Sequence, residues 1–167
     1  MNMRIILMFA FLFYAECHAE EFWDSEANIR SAISAFQSIQ NSRGNEAVVR
    51  EISKCYQDAT QAQGLTKALE YCIAFDVINI EITTTFYEVM EKKYKIPASS
   101  SRQPEETKID AGSERIIRNL ATAKVDNPKE MARSIYYKTS KILSAVLLQN
   151  SERSNSALQG IPASGRP

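Results

Sequence analysis

The stretch from about residue 66 to 94 constrains this chain most. Tyr71, Phe75, Ile78, Ile82, Phe86 and Val89 recur at helical spacing on one flank, and Leu69, Ile73, Ile80 and Tyr87 on another. As a helix the segment is roughly 44 Å long at 1.5 Å per residue. Its apolar arc spans roughly 220°, far wider than the stripe of a surface helix. Such a helix must be a central element touched by several neighbours. Isoleucine and threonine between Ile78 and Thr85 favour strands, but their apolar spacing is helical and no strand pattern competes.

The neighbours are legible from spacing and caps. A first helix is predicted over about 25 to 42, from Ile29, Ile33, Phe36 and Ile39, with Asp24 or Ser25 as cap and Gly44 as its end. A second follows over about 46 to 62, capped by Asn45 and closed by Gly64. After a Pro- and Ser-rich break around Pro97, Ser99 and Pro104, a fourth helix is firm over about 114 to 124 and could open at Glu105. Asn127 and Pro128 start a fifth, lined by Met131, Ile135, Thr139, Ile142 and Val146. The expected fold class is all-α: a small helical bundle of four to five helices with one inter-helix disulfide.

The two ends fall outside that domain. Arg4, the apolar run from Ile5 to Ala15 and the small residues Cys17 and Ala19 have the layout of a secretory signal peptide. The run is too short to span a bilayer. Residues 1–19 are therefore expected to be removed, leaving a helical domain over 20–149. Residues 150–167, rich in Ser, Asn, Gly and Pro, are expected to form a disordered tail. Cleavage removes Cys17 and the only histidine, His18, and leaves Cys55 and Cys72. An even cysteine count in an exported chain reads as a disulfide. Gly64 lies midway between the two, so a hairpin turning there puts them at nearly the same height, roughly 12 to 13 Å from the turn.

Within the central helix Asp76, Asn79 and Thr83 project between the apolar flanks, on the sector that holds Cys72. A carboxylate buried there must be paired or hydrogen-bonded. The alternatives are a polar pocket or a structural bond to a neighbouring helix or to Tyr56. Phe22 and Trp23, next to the expected new N-terminus, are either partner-binding anchors or a cap on the end of the bundle.

Absences narrow the function. A mature chain without histidine has no Ser-His-Asp or Cys-His chemistry and no usual zinc site. The glycines form neither a dinucleotide fingerprint nor a phosphate loop, so no cofactor or metal is expected. Lys plus Arg equals Asp plus Glu, 20 each. Such a balance gives no reason to expect nucleic acid as a partner. No Asn-x-Ser/Thr acceptor occurs, which slightly favours a bacterial periplasm over a eukaryotic secretory route.

The pattern Cys55-Tyr56, then Tyr71-Cys72-Ile73-Ala74-Phe75-Asp76, resembles a group of small exported helical proteins of alphaproteobacteria. The likeness covers about residues 50 to 97. It implies a periplasmic setting and a disulfide, carries no assigned activity, and adds weight to Asp76. The expected function is an exported, non-enzymatic binding or interaction module for a protein or envelope component, with no transmembrane span once the signal peptide is gone. The competing expectation is a periplasmic enzyme using carboxylate chemistry around Asp76.

Overall fold

A computed structural model describes residues 23–95 and 105–159. The segment expected to be a signal peptide, Phe22, the Pro- and Ser-rich break and the last eight residues lie outside them. Five helices follow in order: α1 (Ser25–Arg43), α2 (Asn45–Ala59), α3 (Lys67–Tyr94), α4 (Glu105–Thr122) and α5 (Pro128–Gln159). Among the described residues there is no strand, and no helix is long and apolar enough to cross a membrane.

α3 is the axis and packs against all four other helices. Residues 72–78 are buried without interruption, so this part of α3 has no solvent face at all. Around it sit Ile29, Ile33 and Phe36 of α1, Val48 and Ile52 of α2, Ile116 and Leu120 of α4, and Ile135 and Leu143 of α5. The Phe36 and Phe75 rings meet at 5.5 Å with their planes tilted by 59°, a favoured aromatic geometry. The enclosure stops near Ile80. Beyond it Phe86 is 57% and Val89 49% exposed, so only half of the predicted apolar face is used for the core.

Local chemistry sets most helix ends. The Asp24 carboxylate accepts from the amides of Glu26 and Ala27, and the Thr66 hydroxyl from that of Leu69, each satisfying orphan donors of a first turn. Gly44 adopts φ +74° and is at once the end of α1 and the cap of α2. That corrects the expected role of Asn45, which is the first residue of α2. α2 also ends at Ala59, three residues early. The Gly64 amide donates to the Ala123 carbonyl at 2.6 Å, which draws the turn toward the α4–α5 connection and leaves residues 60–64 non-helical. At the far end α5 continues to Gln159. It runs past the boundary expected at Asn150: Ser, Glu, Arg and Asn are tolerated in a helix and no Gly or Pro intervenes before Gly160.

α2 and α3 form the expected antiparallel hairpin. Cys55 and Cys72 are disulfide-bonded with Cα atoms 5.6 Å apart, near the middle of the range such bonds occupy. α4 then runs antiparallel to α3: Gly112 meets Ile80, Arg115 meets Asp76 and Ala123 meets Gly64. The disulfide closes a loop of sequence separation 17, and in the chain-entropy account that contributes about 3 kcal/mol. Replacing both cysteines by serine should lower the unfolding free energy by about that amount in urea titrations, with helical content unchanged. A change below about 0.5 kcal/mol would mean that the hairpin is held by packing alone.

Candidate functional site

Asp76 has no exposed surface, and α3 places it where α2 and α4 converge. From α4, Arg115 reaches it with two parallel bonds. Nε donates to Oδ2 at 2.8 Å and Nη2 donates to Oδ1 at 2.6 Å. From α2 the Tyr56 hydroxyl donates to Oδ2 at 3.2 Å. A fork of this kind is the strongest pairing open to a buried carboxylate. It meets the desolvation cost that an unpaired charge would carry at this depth.

A glycine makes the approach possible. Gly112 lies in the interior of α4, where it is about 1 kcal/mol less favourable than alanine. A Cβ at that position would stand 2.6 Å from Ile80 Cδ1. The close contact fixes the register, and three residues on, one turn down α3, Arg115 falls opposite Asp76.

The electrostatics agree with the geometry. Burial, reinforced by the charge and hydrogen bond of Asp76, raises the Tyr56 pKa well above its ordinary value, so the phenol stays a donor. The hydrogen bond to Asp76 raises that of Arg115. Both oxygens of Asp76 are occupied and neither meets solvent. A general base must reach the proton it removes, and here both oxygens are engaged and the side chain has no exposed surface. The arrangement acts as a latch of three helices around one charge.

The other sequence-predicted residues have different fates. Asn79 and Thr83 follow Asp76 along α3 and are half-buried. Asn79 Oδ1 is enclosed without a partner, and neither residue is bonded to the Asp76 group. Trp23 is half-buried, and its indole N–H donates to Glu70 Oε2 at 2.6 Å. Phe22 lies outside the described residues. Glu70, 3% exposed, also accepts from the Ser25 hydroxyl and from the Asn28 amide. It forms a second buried carboxylate centre that ties the start of α1 to α3. Among the described residues no three His, Cys, Asp or Glu side chains converge as a metal site.

Sequence reasoning found Asp76 and Tyr56 but not Arg115 or Glu70. Nothing in the sequence marked Arg115 as the partner of Asp76; Gly112, three residues before it, packs against Ile80 only in the folded structure. Glu70 lies in the first turn of its helix, where a carboxylate is ordinary, so nothing distinguished it. Known proteins add nothing to this picture, because no family model, no curated protein and no solved structure matches the chain.

The latch makes an asymmetric prediction. Arg115→Ala leaves a buried carboxylate unpaired and should cost about 3 kcal/mol, the low end for such a change. The Arg115 side chain is 42% exposed, so water can partly replace it. Asp76→Ala should cost about 1 to 3 kcal/mol, and adding it to Arg115→Ala should restore stability. Urea denaturation of the three variants checks this. A neutral Arg115→Ala would show that solvent already reaches Asp76.

Proposed function

We infer that the chain is an exported, non-enzymatic binding module whose partner is a protein or envelope component. The observation that carries the reading is the unfinished apolar face of α3. Phe86 and Val89 continue the spacing that buries Phe75 and Ile78, yet they stand 57% and 49% exposed beyond the core. α5 extends past the core as well, with Leu147 and Leu148 exposed. Exposed apolar side chains on helix ends that a core anchors are a common basis for protein contact.

Export rests on three supports: the N-terminal layout of residues 1–19, the disulfide between Cys55 and Cys72, and the resemblance to small exported alphaproteobacterial proteins. A disulfide persists in oxidising compartments, and the periplasm is the one this reading names. The carboxylate-enzyme alternative needs Asp76 to handle a proton. An acid with both oxygens engaged and no exposed surface does not favour it.

Site-specific photocrosslinking in cells tests the proposal. A photoreactive phenylalanine placed at Phe86 or Val89 should give one discrete adduct, and the same probe at the exposed Arg118 of α4 should give none. Intact mass of the exported form should begin at Glu20. Equal labelling from all three positions, or none, would contradict a docking role for α3. A mass that includes Met1 would contradict export by signal cleavage.

A further inference from the structure

Between α4 and α5 lies an open groove of about 400 Å³, within the size range of small-molecule sites. Its floor is Ile116, Ile117 and Ala132. Its rim carries Lys129 and Arg133, four residues apart and so on one face of α5, with the Ser113 hydroxyl across from them. Among the described residues no carboxylate lines it. Neither Lys129 nor Arg133 forms an ion pair among the described residues.

Two neighbouring features sharpen the contrast. The groove between α1 and α5 also has cations, Arg30, Lys138 and Lys141, but a carboxylate stands among them: Glu26 lies in the lining and pairs with Arg30 at 2.7 Å, leaving the two lysines. Glu81 accepts from the hydroxyls of Tyr136 and Ser140, and it is not among the residues that line the α4–α5 groove. Among the described residues the α4–α5 groove therefore presents two cations without an ion-pair partner beside an apolar floor.

We propose that this groove binds a small organic anion, with a carboxylate head between Lys129 and Arg133 and a short apolar body on Ile116, Ile117 and Ala132. Arginine offers the carboxylate a two-bond fork and lysine a point charge. The floor provides the area that turns a weak ion pair into a specific site. The ligand class follows from charge and polarity alone and is independent of the contact surface assigned to α3.

Octanoate is the probe, titrated into the isotopically labelled full mature chain and followed by amide chemical shifts. Saturable shifts confined to residues 113–117 and 129–136 are expected. Octan-1-ol lacks the charge and acetate lacks the body, so each should bind at least tenfold more weakly. Lys129→Glu with Arg133→Glu should weaken octanoate at least tenfold at an unchanged melting temperature, since both side chains are exposed. Should that pair perturb the fold, Lys129→Gln with Arg133→Gln gives the same reading without charge reversal. Shifts elsewhere, equal binding of octanol or acetate, or full affinity in the substituted chains would each overturn the proposal.

Discussion

Residues 72–78 of α3 are enclosed on every side, and much of the rest of the molecule answers to that enclosure. A helix with one wet face can turn its polar residues outward. This segment cannot, so Asp76, placed in the middle of it, must find its partners inside. That need specifies a cation from one neighbour and a donor from another. Arg115 and Tyr56 fill those roles, and α4 and α2 are thereby fixed in position as well as packed. A hydrophobic core alone would accept several sliding arrangements of helices around a smooth apolar cylinder. A buried charge with a two-bond partner accepts one, which is the attested structural use of such groups.

The fastenings are concentrated rather than spread. Cys72 lies one turn before Asp76, and Cys55 is next to Tyr56, so the disulfide and the carboxylate latch join α2 to α3 on consecutive turns. Glu70, nearer the start of α3, gathers Trp23, Ser25 and Asn28 from the beginning of α1. All three fastenings lie within the first ten residues of a 28-residue helix. The far half of α3 begins at Glu81, which the Ser140 and Tyr136 hydroxyls of α5 hold, and beyond it Phe86 and Val89 face solvent. Anchoring at one end and an exposed apolar face at the other are the observations on which the proposed interaction module rests.

Much of this was legible from residue spacing, for physical reasons that can be named. The width of the apolar arc identified α3 as the axis because burial scales with apolar area. The position of Gly64 between two cysteines specified a hairpin because helix rise is constant. Asp76 was conspicuous because a carboxylate inside an apolar arc is costly. Four things were not legible. Arg115 lay in the firm part of the fourth helix, but its partner is 39 residues away in sequence, and Glu70 sits in a first turn, where a carboxylate is ordinary. Gly44 took the cap expected of Asn45 because a positive φ ended one helix and began the next within a single residue. The exposure of Phe86 and Val89 could not be read from periodicity, which shows that a face is apolar but not whether anything in the same chain covers it.

Native-state hydrogen exchange along α3 tests this account most directly. The amides of residues 72–80 should exchange only by global unfolding, with an opening free energy equal to that from denaturant titration. Those of residues 84–92 should open at several kcal/mol less. Subglobal opening of residues 72–80, well below the global value, or equal protection along the whole helix, would contradict the claim that the inner half of α3 is the structural centre and the outer half a presented surface.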